Sequence, residues 1–181
     1  MIKIVKKWFM AWNDDKEEIF LEDMAAKGFE LQNIGYGKYT FKEGTPKKIK
    51  YQLDFKGLTK MPEQEYLQIY EDAGWEYIHR LGSWYYFAKE YDEKTPDISI
   101  FNDNNSRLEK YRRLIMFLVI TGLPLYFNFL IIFPSLEQTE LIFPKFYFFF
   151  RIIAAVLMVL HAAAMLKLVL KIAKDKKNIR E

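Results

Sequence analysis

Glu30, Asp54 and Glu76 are the side chains of this 181-residue chain best placed for chemistry, because each carboxylate falls in a stretch that reads as β-strand among tryptophans and tyrosines. Other reactive types are scarce. The chain has no cysteine and only two histidines, His79 and His161, whereas zinc needs three or four nitrogen, sulfur or oxygen donors. A lone His79 in a strand therefore reads as a surface or hydrogen-bonded residue, and neither a metal nor a cofactor is expected. Gly35-Tyr36-Gly37 lacks the third glycine and the following helix of a dinucleotide-binding loop, so it reads as a hairpin turn. Without a convergent set of acid, base and nucleophile, the expected function is not catalytic.

Recognition suits the residue supply better. Trp8, Trp12, Tyr51, Trp75, Trp84 and Tyr86 join the three carboxylates as candidates for holding a ligand or a partner. Alternation puts Trp8, Met10 and Trp12 on one face of a first strand and Phe9 and Ala11 on the other, so both faces need cover. Helices cover one. The other meets a partner, a second copy, a bilayer surface or a ligand, unless the rings simply fill a small core and its rim. Asp14, Asp15, Glu17 and Glu18 open the first helix, where they complement its dipole and cap it; metal binding is the sharper alternative.

These residues are carried by a pattern that occurs twice. Ile2 to Trp12 is rich in β-branched and aromatic residues, Asp14 to Lys27 has helical spacing ended by Gly28, and Phe29 to Ile34 and Lys38 to Glu43 form a hairpin. Strand Ile49 to Phe55, a helix opening at Pro62 and ending at Gly74, and strands Trp75 to Arg80 and Trp84 to Glu90 repeat it. Gly28-Phe29-Glu30 matches Gly74-Trp75-Glu76, Gly35 matches Gly82, and Tyr39 matches Tyr86. The predicted fold is α+β: a duplicated strand-helix-strand-strand antiparallel sheet (repeats about 1–45 and 46–91) with two helices on one face. Residues 92–106, polar and containing Pro96, form a linker.

A different composition follows in residues 107–181. Leu114 to Phe133 and Phe146 to Leu166 are each about 20 residues of nearly unbroken apolar sequence, enough to cross a hydrocarbon layer of about 30 Å. They predict a transmembrane hairpin. Residues 1–106 carry a net charge of −4 and residues 107–181 one of +7, so the positive excess flanks the spans and argues against direct nucleic-acid binding by the acidic domain. Arg107, Lys110, Arg112 and Arg113 precede the first span and Lys167, Lys171, Lys174, Lys176, Lys177 and Arg180 follow the second. The link holds Glu137, Glu140 and Lys145. This asymmetry predicts a cell-membrane protein with both termini cytoplasmic. Within the spans, Asn128 and Arg151 fall at similar depth, where the amide can accept from the guanidinium or the arginine can snorkel outward. Ala154, Ala155 and Ala162 form a small-residue packing face for the first span or another subunit, with His161 at its edge. Gly122 and Pro124 predict a kink in the first span.

Trp12 followed by Asp15-Lys16-Glu17-Glu18, then Leu21, Met24 and Gly28, with Tyr39, Phe41, Tyr51, Asp54, Tyr66 and Ala73-Gly74-Trp75-Glu76 further on, resembles the bacterial family DUF2812, a domain of unknown function. The resemblance covers about residues 7–100. It implies a cytosolic-facing domain joined to membrane spans in Gram-positive bacteria, often encoded beside PadR-type transcriptional regulators, and it carries no activity and no site. The doubled unit is also similar in architecture to effector-binding domains of the GyrI-like class, which hold small molecules in a cleft between repeats; that likeness concerns fold alone. The expected function is a membrane-anchored cytosolic module with a sensory or regulatory role that binds a ligand or a protein partner, such as a regulator or membrane complex. The alternative is a structural accessory subunit or homo-oligomer assembled through the hairpin.

Overall fold

The computed structural model describes residues 1–92, 104–135 and 144–178, and the chain divides into two compact units, Met1–Lys110 and Tyr111–Glu181. The first unit runs β1 (Ile2–Lys6), α1 (Asp14–Ala26), β2 (Phe29–Gly35), β3 (Lys38–Glu43), β4 (Ile49–Phe55), α2 (Glu63–Asp72), β5 (Glu76–Leu81) and β6 (Trp84–Glu90). It is the expected α+β pattern of two strand-helix-strand-strand units. Each unit closes its own antiparallel three-stranded sheet, in the orders β1-β3-β2 and β4-β6-β5.

The first strand is shorter than its composition suggests. The Lys7 amide still bonds the Gly37 carbonyl, but the chain then leaves the sheet and turns at Met10–Asn13 to enter α1. Trp8 and Trp12 therefore lie in the connection between β1 and α1, not on a strand face. Most of the proposed linker, residues 93–103, lies outside the described residues.

The two hairpins preserve the duplication in their irregularities. Each has a bulge, at Gln32 in β2 and Ile78 in β5, and Leu31↔Phe41 and Asn33↔Thr40 in the first match Tyr77↔Phe87 and His79↔Tyr86 in the second. Structural equivalents are thus 46 residues apart, so Tyr39 corresponds to Tyr85 and not to Tyr86. A one-residue slip moves a side chain to the opposite face of a sheet. With the right register, α1 packs on Tyr39 and Phe41 through Phe20 and Leu21, and α2 packs on Tyr85 and Phe87 through Tyr66 and Tyr70. Each helix covers the same face of its own sheet.

The backs of the sheets differ, and the sequences of β3 and β6 say why. Lys38-Tyr39-Thr40-Phe41-Lys42 alternates, so one face is solvated; Trp84-Tyr85-Tyr86-Phe87-Ala88 is apolar throughout and wants cover on both. The back of the second sheet, with Tyr51, Leu53, Tyr86 and Ala88, buries against the same core as α1, Leu31, Ile34, Tyr39 and Phe41. α1 is therefore held between two sheets.

The second unit contains most of α3 (Asn104–Phe127), a π-helical turn (Asn128–Ile132), a short α4 (Phe133–Ser135) and the long α5 (Pro144–Asn178). Arg107–Ile132 and Pro144–Lys177 are long and apolar enough to cross a membrane, and their most apolar windows are only 6% and 11% buried. That separates them from core helices of a soluble protein, whose apolar surface would be covered. The π turn follows Pro124, and the Asn128 side-chain amide donates to the Pro124 carbonyl at 2.8 Å, which supplies a partner where the helical ladder is irregular. The link residues Glu137 and Glu140, and Arg180, lie outside the described residues.

Candidate functional site

A cavity of about 140 Å³ opens in the first unit, walled by the β1–α1 connection (Lys7 to Ala11), the β2–β3 turn (Gly35 to Gly37), Asp14 and Glu17 of α1, and Tyr39, Leu53, Leu81, Trp84 and Tyr86 from the strands. Gly37 has φ +61, and a Cβ there would run into the Trp8 ring lying against it. Glycine at 37 thus permits both the turn and the wall. Trp8 is 75% exposed despite that contact, placing it at the rim.

Glu17 is the chemical centre. It is only 7% exposed, and its Oε1 accepts from the Tyr39 hydroxyl at 2.7 Å and the Tyr86 hydroxyl at 2.8 Å. Burial raises its pKa above the ordinary carboxylate value, the two hydroxyl bonds oppose that, and the neighbouring Asp14 charge adds to it. Burial and the carboxylate likewise push both tyrosines upward, so each stays protonated and donates. Strand register accounts for the pair: Tyr86 stands where the first repeat has Thr40, on the back of the second sheet, and reaches the same oxygen as Tyr39.

Two more carboxylates flank it. Asp14 is buried and ion-paired with Lys110 at 2.6 Å. Glu18 Oε1 accepts from the Leu53 amide at 2.8 Å and Gln52 Nε2 at 2.9 Å, while Lys110 donates to the Leu53 carbonyl at 3.0 Å. β4 is an edge strand, and the groups of Leu53 that point away from β6 are met by a carboxylate and an ammonium in place of another strand. Burial raises Glu18 to about 7, against the opposing pull of Lys110 and the Leu53 amide.

The sequence candidates scatter around this centre. Trp8, Trp84 and Tyr86 line the cavity, and Trp12 does not. Trp75 belongs to the α2 core. Asp54 is fully buried, its Oδ2 accepting from Tyr66 at 2.7 Å and Tyr70 at 2.6 Å: again two tyrosines on one carboxylate oxygen, but with strand and helix exchanging roles. Glu30 and Glu76, 46 residues apart and so equivalent, line a second cavity of about 130 Å³ with Tyr51, where Lys47 bridges Glu30 at 3.0 Å and Glu90 at 3.3 Å. No group of three or more His, Cys, Asp or Glu among the described residues could hold a metal.

From the sequence, Asp14 and Glu17 read as dipole complements and caps of α1, with metal binding as the alternative. Their spacing carried a further signal: with Leu21, Met24 and Ala25 they form the buried stripe of α1, so two acids sit on its apolar face. Tyr36, Tyr39 and Lys7 also line the cavity, and nothing in their sequence positions singles them out as site residues. In the second unit, Asn128 bonds its own helix and the Arg151 guanidinium lies over the Tyr147 ring, so each engages its own helix. Ala154 is buried, Ala155 half-buried and Ala162 exposed. His161 packs on Gly122, with Nε2 at 2.9 Å from the Leu118 carbonyl and Nδ1 at 3.2 Å from the Tyr126 hydroxyl. A carbonyl only accepts, so Nε2 carries the proton.

Fold and site define a class: a duplicated α+β domain with a buried acid in an aromatic cavity, on a chain with two helices apolar enough to cross a membrane. The chain belongs to the family described as protein of unknown function (DUF2812), whose model matches residues 13–123. No curated protein and no solved structure matches it.

Proposed function

We propose that the chain is a membrane-anchored binding module whose domain lies on the cytosolic side and takes a small ligand in the Glu17 cavity, with a sensory or regulatory role passed to a protein partner. The observation that carries this reading is the cavity itself: a buried carboxylate and aromatic walls drawn from both repeats line one half-open concave site. The two long apolar helices support the anchor. The full chain in detergent micelles, screened against a chemically broad small-molecule panel, should give ligands that raise the melting temperature and alter Trp fluorescence, since Trp8 and Trp84 line the cavity. Saturation to about 100-fold over Kd stabilises by about 2.7 kcal/mol, a readily measured shift. A panel without effect on either readout overturns the reading. It would leave the second one, a structural or homo-oligomeric subunit, favoured by the uncovered apolar surface of α3 and α5.

A further inference from the structure

The buried charges around the cavity do not balance. Asp14, Glu17 and Glu18 gather on one end of α1, and the buried ammonium beside them, Lys110, is taken by Asp14 at 2.6 Å. Glu17 has no ion pair among the described residues; its partners are two neutral hydroxyls, both on Oε1, which leaves Oε2 outside those bonds. A buried carboxylate without a cation either takes a proton, the direction in which burial pushes Glu17, or is stabilised as the anion by a cation that supplies the missing charge.

The walls say what kind of charge. A small metal ion would want several oxygen or nitrogen ligands at fixed distance, whereas Trp8, Tyr36, Trp84 and Tyr86 offer aromatic surface, which suits a large, weakly hydrated cation. A cation of the opposite kind, the compact Lys7 ammonium, already lies against rings beside the cavity, 5.0 Å from the Phe9 ring centre and 4.2 Å from that of Phe20. The volume, about 140 Å³, is close to the roughly 150 Å³ engineered cavity that accommodates a benzene, so this half-open site has room for a group of the size of a tetramethylammonium ion.

We propose, resting on the binding reading above, that the cavity takes a small organic cation, a methylated or alkylated ammonium group, with Glu17 as its counter-charge and the rings as its cage. Tyr39 and Tyr86 hold the carboxylate in place. Lys7, a like charge at the rim, opposes entry.

The test uses the full chain in a maltoside detergent, titrated with tetramethylammonium, with choline, and with 3,3-dimethylbutan-1-ol, which has choline's shape with carbon in place of the charged nitrogen. Calorimetry and Trp fluorescence should show choline binding at least about tenfold more tightly than the neutral alcohol. Glu17→Gln, whose amide oxygen still accepts from both tyrosines, should erase that preference, and Lys7→Gln should increase it. The wild-type comparison stands even if a variant does not fold. Equal affinity for choline and the alcohol, or no binding of either ammonium ion, overturns the cation assignment. If a neutral compound from the broad panel binds instead, the binding reading survives; if nothing binds, both fall. Repeating the choline titration in phosphatidylcholine and phosphatidylglycerol vesicles identifies the source of the group. Loss of choline binding only in the former supports a lipid headgroup, and equal binding in both supports a free ion.

Discussion

Glu18 shows how a single residue couples the site to pH. Burial holds its carboxyl near 7, against 4.5 for an ordinary glutamate, so between those values the folded chain keeps a proton that the unfolded chain has released. Stability is then fully present below about pH 4.5, falls as pH rises toward 7, and is flat above; the loss is on the order of 3 kcal/mol for this group. Glu17, raised in the same direction, adds to the slope. Thermal melts of the full chain in micelles at pH 5 and 7.5 should show the decline, and Glu18→Gln, which still accepts from the Leu53 amide, should remove much of it. An undiminished slope in that variant would assign the effect elsewhere. At this scale the sequence was only partly legible. It marked Trp8, Trp84 and Tyr86, but the acid they surround came from α1, because the run Asp14-Asp15-Lys16-Glu17-Glu18 reads equally well as a solvated first turn. Which of its acids is buried depends on how α1 is rotated between two sheets.

Elements were more legible than their contacts. Helix and strand boundaries follow from periodicity and from glycines such as Gly28 and Gly74, both at positive φ, while β1 ends at Lys6 and the residues after it, Lys7 to Ala11, line the cavity. The matching of repeats by residue type paired Tyr39 with Tyr86, and only the equivalent bulges at Gln32 and Ile78 fix the offset at 46. In the second unit, Gly122 was read as a kink residue, and its structural meaning is a close approach. A Cβ at 122 would lie 2.5 Å from Cε1 of His161. Gly122→Ala should therefore displace the ring, break its bond to the Leu118 carbonyl, and destabilise the pairing of α3 with α5 by about 1–3 kcal/mol, the usual range for overpacking. Melting in micelles measures it. In a His161→Ala background the same substitution should cost little, since the obstructing ring is gone; an equal cost in both backgrounds would mean that the clash is not its source.

For the whole molecule, the decisive question is which side of the membrane the first unit occupies, and the chain's own composition makes the answer accessible. It has no cysteine, so a single introduced thiol reports one position without background. In the proposed orientation, residues 1–92 and the end of α5 lie inside and the link between the helices outside. Gln138→Cys, in that link, should react with a membrane-impermeant maleimide on intact cells, whereas Gln32→Cys, exposed on β2, and Lys176→Cys, near the end of α5, should react only after permeabilisation. Lys110, one of the cations before the first span, is paired with Asp14 and is not free to meet headgroups. Orientation then rests more heavily on Arg107, Arg112 and Arg113 and on the lysines of α5, so Arg112→Gln with Arg113→Gln should weaken the labelling asymmetry more than Lys110→Gln does. Labelling of Gln32→Cys from outside would reverse the orientation. It would also move the Glu17 cavity to the side of the membrane where its ligand must be drawn from the environment and not from the cytosol.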